Sequence, residues 1–255
     1  MISASCAAWA QEKKPDAPAT SAESQRLHEF FKTEWEWNLQ EAPLMATRVG
    51  DQRYNDRWPD LSLEAIARRK LHHQEVLGKI RSFQRDRLPP EDQLNYDLFL
   101  RNASVDVELD RYPREYMPVS QRVTPPSTLA DLVGETRLAS ASDYQQLISR
   151  LRAFPKYVDQ TIELMRRGVQ AGIMPPRVIL QNVGADLEPF LASDPQKSPV
   201  YETAFAHFPT SLSSADEKRL RAEVQAAIRD AVTPSIRRFK DFFVGTYEPK
   251  ARASI

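Results

Sequence analysis

The sequence predicts an all-α protein, a single multi-helix unit of about eight helices with proline-rich connections. Three observations lead there. Glycine is scarce, 7 of 255 residues, under half the ~7% usual in globular chains, and hairpins, phosphate loops and nucleotide folds all consume glycine. Proline is abundant at 19 residues, above the typical ~5%, and it punctuates the chain as helix breaks would. Apolar residues recur at spacings of three and four, and no alternating run has the length of a convincing strand.

Residues 1–24 read as a signal-peptide remnant and flexible leader, and residues 25–255 as the helical domain. Ala8-Trp9-Ala10 ahead of Gln11 has the small-x-small form of a signal-peptidase site, which places cleavage between Ala10 and Gln11. Met1 to Ala7 is too short for the apolar stretch of ~7–15 residues that such a peptide needs. The expectation is therefore a reading frame that starts inside a longer signal peptide, and a periplasmic or secreted protein. An alanine-rich tail is the plainer alternative. Ser3-Ala4-Ser5-Cys6 lacks the apolar residue of a lipidation box, so lipid attachment is not expected.

Ordered structure should begin near Ser24. Leu27, Phe31, Trp35 and Leu39, widened by Phe30 and Trp37, predict an amphipathic helix over 24–41, ended by Pro43. The following PLMATRVGDQRYNDRWPDLS carries turn chemistry and reads as a loop. Ser62 can cap a second helix with Leu63, Ile66, Leu77 and Ile80 on one face. Pro90 opens a third, with Leu94, Leu98 and Val105 expected inward. Four prolines within 112–127 preclude one regular element there. Ser142-Asp143 restarts a helix through Tyr144, Leu147 and Leu151. Phe154-Pro155 should kink or break it, and a further helix should run through Val158 and Met165 to Gly168 and Gly172. Pro175-Pro176 restarts the pattern with Val178, Ile179 and Val183, and the proline-spaced stretch from Pro189 to Pro209 holds at most short helical pieces. Ser213 or Ser214 caps a long final element with Leu220, Val224, Ile228 and Ala231 inward, where Thr233-Pro234 is either a kink or a new helix start.

Composition narrows the function classes. Lys+Arg and Asp+Glu both number 35, for a formal charge of zero, so the basic footprint of a nucleic-acid binder is missing. No apolar run approaches the ~18–20 residues of a membrane span. A single cysteine excludes a disulfide framework and a multi-cysteine metal cage. His28-Glu29-Phe30-Phe31-Lys32 nearly matches H-E-x-x-H, but a lysine stands where the second imidazole is needed. His72-His73-Gln74-Glu75-Val76 nearly matches the inverted H-x-x-E-H and fails at Val76. His207, between Ala206 and Phe208, reads as packed rather than catalytic. Glu34 and Glu36, two apart on a helix, point to different sides and cannot share one substrate bond. No nucleophile elbow or glycine-rich phosphate loop is present. The residues yield no catalytic, metal-binding or cofactor-binding assignment.

Read together, FFKTEWEWNLQEAPLMATRVGDQRYNDRWPDLS, DQLNYDLFL, RLRAFPKYVDQTIELMRRGVQAGIMPP and the closing FFVGTYEPKARASI resemble the N-terminal region of the bacterial domain of unknown function 885 family, from about Leu27 to Ile255. The resemblance implies the N-terminal half of an exported, helical zinc peptidase of the thermolysin-like H-E-x-x-H class. In such proteins the zinc and general-base residues lie in a C-terminal half. None of those residues has a counterpart in this sequence, so none is carried over. The implied role is one wall of a substrate cleft, inactive as written, with zinc and a peptide substrate belonging to the full-length protein. Apolar surface left by the absent half would then be free to associate. Two other readings stand beside this one. The first is an exported, non-catalytic binding or scaffold module that uses Trp35, Trp37, Tyr54 and Trp58 as its surface. The second is a hydrolase with His207 or His72 as base, paired with a carboxylate from another helix.

Overall fold

A computed structural model describes residues 22–253; Ala10, Gln11 and the rest of the leader up to residue 21 lie outside the described residues. Helix α1 spans Ala22–Glu41 and α2 Pro43–Arg48. Helix α3 (Leu63–Arg81) starts at Ser62, whose side chain accepts from the Ala65 N–H. Helix α4 (Pro90–Leu109) opens on Pro90, where a missing N–H costs nothing. Then come α5 (Pro125–Glu135), α6 (Ala141–Ala171), α7 (Val183–Asp186) and α8 (Pro199–Ala204). Helix α9 (Ser214–Ala227) is capped by Ser213, and α10 covers Thr233–Phe242. Among the described residues the only β pairing is two isolated bridges, Ser120 with Val123 and Pro176 with Arg252. The all-α fold class is as expected.

Several elements depart from the sequence reading. Pro125 and Pro126 do not break structure; they form the first turn of α5, capped reciprocally by Thr124 and Ser127. Ser140 and Asp143, rather than Ser142, make the capping box of α6. Helix α6 runs unbroken through Pro155, because Leu151, Phe154 and Val158 on either side of it are all fully buried. Core packing there outweighs the ~3 kcal/mol that an interior proline costs. Helices α9 and α10 are joined without a break by a π turn over Ile228–Val232. Pro234 has no N–H to offer the preceding turn, and next to it Ser235 Oγ donates to the carbonyl of Ala231, four residues before it. Helix α6 ends at Gly172, whose φ of +69° is the left-handed cap. A Cβ at Gly168 would lie 2.5 Å from the Tyr116 carbonyl oxygen, so α6 lies against the 114–116 turn only because that side chain is absent.

The apolar residues form two clusters. The larger is built on α6 and packs Leu147, Leu151, Phe154 and Val158 with Val224, Ile236, Phe239 and Phe243 from the final helices. The smaller joins α1, α3 and α4 through Leu27, Phe30, Leu77, Ile80, Phe83 and Tyr96. In this second cluster α4 is rotated from its expected setting. Leu94, Leu98 and Val105 are exposed at 59%, 50% and 47%, while Tyr96 and Ala103 are buried. Asp92, held by Ser24 and by His28, pins the start of α4 so that the Tyr96 face turns inward. On α1, likewise, Trp35 is exposed and Glu34 is buried.

The loop between α2 and α3 wraps the side chain of Arg150 from α6. Its guanidinium donates to the carbonyls of Arg57 (2.9 Å) and Tyr54 (2.6 Å) and to Thr47 Oγ1 (3.0 Å). Trp58 Nε1 donates back to the Arg150 carbonyl, and the indole stacks on Tyr157 at 4.5 Å. Arg150 is fully buried, and burial lowers its pKa to about 10, so it stays charged at neutral pH. A charge buried among carbonyl oxygens fixes the course of the loop.

Candidate functional site

Helical spacing brings polar residues onto the inner faces of α1, α3 and α4. On α1, Phe30, Glu34 and Asn38 follow one another at four-residue intervals; on α3, His72 and Val76 do the same. Where the helices meet, three histidines each take a carboxylate from a different element. His28 Nε2 lies 2.7 Å from Asp92 Oδ1, His72 Nε2 lies 2.8 Å from Glu34 Oε2, and His73 Nδ1 lies 2.7 Å from Asp110 Oδ2. Ser24 also donates to Asp92. Burial opposes ionisation of Asp92, but hydrogen bonds from Ser24, His28 and Asn95 outweigh it and hold the carboxyl below its ordinary range.

The Glu34–His72 pair differs from the other two because two cavities meet at it. Trp37 stacks on the His72 ring with centroids 3.7 Å apart. A cavity of about 570 Å³ opens between α1 and α3 over Phe30 and Phe83. A smaller one of about 210 Å³ sits where α4 joins them, beside Phe99 and Asp106. Glu34, His72 and Val76 line both. The contact uses Nε2 and fixes the His72 ring between Glu34 and Trp37.

The residues singled out in the sequence fare differently. His72 meets a carboxylate from another helix, as the hydrolase reading required, and Glu34 is the residue that reading could not name. A charged residue on the same helix face as Leu27 and Phe30 was the available signal. His207 is exposed, not packed. Trp35 faces solvent, Trp37 covers His72, Tyr54 lies under Arg53 and Arg57, and Trp58 is anchored on the α6 core. Those four aromatics are committed to separate neighbourhoods rather than to one surface. Neither near-motif fits zinc: Lys32 and Val76 stand where an imidazole is needed, and among the described residues no three His, Cys, Asp or Glu side chains gather as metal ligands.

The fold and this site define an all-helical protein with two adjoining cavities beside Glu34 and His72 on its N-terminal helices. The chain belongs to the family described as bacterial protein of unknown function (DUF885), whose model matches residues 43–254. Helix α1, which carries Glu34, precedes the matched span. Its fold is similar to that of a solved structure described as "the putative lipoprotein from Colwellia psychrerythraea", with a TM-score of 0.77 at 16% sequence identity. That likeness covers 91% of this chain and 43% of the other, so this chain spans less than half the length of its relative. No curated protein matches it. No helix among the described residues is long and apolar enough to cross a membrane.

Proposed function

We infer that this chain supplies the N-terminal, cleft-forming helical portion of an exported, zinc-dependent peptidase-like protein and does not itself hydrolyse peptides. The observation that carries the reading is the span: the fold agrees over 91% of this chain yet covers 43% of the relative. The family membership supports it, since the resemblance implies that the zinc-binding half lies elsewhere in the full-length protein. Periplasmic or secreted localisation, and a peptide substrate for the whole protein, belong to the same reading. The test is to measure zinc content and hydrolysis of a peptide library with the purified chain. Absence of turnover is expected, and stoichiometric zinc together with turnover would overturn the reading. A second reading, a non-catalytic binding module, is favoured by one feature: the cavity of about 210 Å³ beside Glu34 and His72, which takes the place of the four dispersed aromatics as a recognition surface.

A further inference from the structure

Three turns cover the large core near the end of α6, and backbone hydrogen bonds tie them together. The Gln121 N–H donates to the Ile179 carbonyl at 2.7 Å, the Arg177 N–H to the Arg252 carbonyl at 2.8 Å, and the Arg252 N–H to the Pro175 carbonyl at 3.0 Å. Each turn sends one apolar side chain inward: Val119, Leu180 and Ala251 are buried in the large cluster. What the turns send outward is unusual for a chain of zero formal charge. Val123, Val178 and Ile179 are exposed at 50%, 45% and 36%, although burying such side chains ordinarily lowers the free energy. Beside them stand Arg122, Arg177, Lys250 and Arg252, all exposed. Arg122, Arg177 and Lys250 make no side-chain hydrogen bond or ion pair with the described residues. Arg252 spends Nε on a neutral partner, the Met174 carbonyl. Within 119–123, 176–180 and 248–252 the sole carboxylate is Glu248; Asp186, the next one along the chain after Leu180, lies in α7.

We propose that these three turns form a docking surface for an anionic lipid bilayer. Val123, Val178 and Ile179 enter the headgroup region, and the four cations meet lipid phosphates. Peripheral binding of this kind grows with the apolar area inserted and with attraction to anionic lipid. The turns offer both together, which suits a bilayer better than a soluble polyanion, because a polyanion leaves the aliphatic side chains in water. Each Lys or Arg close to an anionic surface raises affinity about fivefold, so four together give roughly a thousandfold. That attraction fades beyond a Debye length, ~8 Å at physiological salt, so binding is salt-sensitive. Backbone hydrogen bonds and the core beneath hold the turns in place, so the surface is preformed and binding orders little chain. It lies on the large core, away from the cavities beside Glu34 and His72, and stands whether or not the chain serves a peptidase.

Co-sedimentation of the purified chain with vesicles tests this. One set is phosphatidylcholine alone and the other contains about 30% phosphatidylglycerol, each at about 50 mM and about 500 mM salt. Saturable binding to the anionic vesicles at low salt is expected, at least about tenfold weaker at high salt, with little binding to the neutral ones. Arg122→Gln together with Arg177→Gln should weaken binding about 25-fold. Val178→Ser should weaken it about threefold, an effect that charge alone does not produce. All three side chains are exposed, so both variants should melt like the parent. Should either fail to fold, the comparison of vesicle compositions on the parent chain still decides. Soluble polyglutamate that binds as tightly as the vesicles assigns the surface to an acidic polypeptide and overturns the proposal. So does absence of binding up to about 1 mM anionic lipid, equal binding to neutral vesicles, or unchanged binding in either folded variant.

Discussion

Replacing Arg150 with methionine should loosen the α2–α3 loop and destabilise the protein by about 2–3 kcal/mol. The figure comes from two opposing effects. The guanidinium makes three good hydrogen bonds, to the Arg57 and Tyr54 carbonyls and to Thr47 Oγ1, at 2.9, 2.6 and 3.0 Å. A fourth contact, to the Pro43 carbonyl at 3.5 Å, is too long to count for much. Methionine keeps most of the stem but donates nothing, so three buried acceptors lose a donor at about 1–3 kcal/mol each, or about 5–6 kcal/mol together. Against this, a neutral side chain escapes the desolvation that lowers the arginine pKa from 12.5 to about 10, an effect of about 3 kcal/mol. Urea denaturation gives the stability difference, and limited proteolysis reports on residues 43–61. An unchanged midpoint, within the ~0.5 kcal/mol of an ordinary surface substitution, with no new cleavage in that loop, would refute the clamp.

Acid should weaken the protein through carboxylates held below their ordinary range. Burial opposes ionisation of Asp60, but the Ser62 backbone and side chain, Lys156 and Gln160 outweigh it, and the pKa falls well below normal. A depressed folded-state pKa contributes stability that is full above the unfolded value, ~3.9, and is lost as pH falls below it. Asp60→Asn should therefore be less stable than the parent at neutral pH, with the gap unchanged down to about pH 4 and starting to narrow only below it, still open at about pH 3; a gap of constant size in denaturation series carried into that acid range would contradict this. The orientation of α4 can be checked by two substitutions. Leu98→Gln should change stability by no more than about 0.5 kcal/mol, because Leu98 is half exposed, whereas Tyr96→Ala should cost about 3 kcal/mol. Thermal or chemical melts showing the reverse order would place the other face inward.

How much was legible in the sequence differs by element. Ser62, Pro90 and Ser213 mark true helix starts because a cap acts on N–H groups within its own first turn. Pro125 and Pro155 mislead for opposite reasons. The first opens a helix behind Thr124, and the second is carried inside one by packing on both sides. Helix α4 has apolar residues on more than one side, so its pattern alone does not choose between the Leu94–Leu98–Val105 stripe and the Tyr96–Ala103 face. Its neighbours choose, through Asp92 and its bonds to Ser24 and His28.

The site shows the same division. His72 was visible as a candidate base, and Glu34 as a carboxylate, but nothing local joins them. They are 38 positions apart and meet only when α3 lies along α1. Arg150 reads as one more surface arginine until the loop some 93 to 107 positions earlier closes over it. By itself, then, the sequence determined the helical class, most helix starts and the family, because apolar spacing, capping and proline chemistry act over a few residues. Only the tertiary structure decided which face of α4 is buried, which acid each histidine meets and where the cavities open. Those outcomes depend on contacts between distant helices, which no short-range pattern encodes.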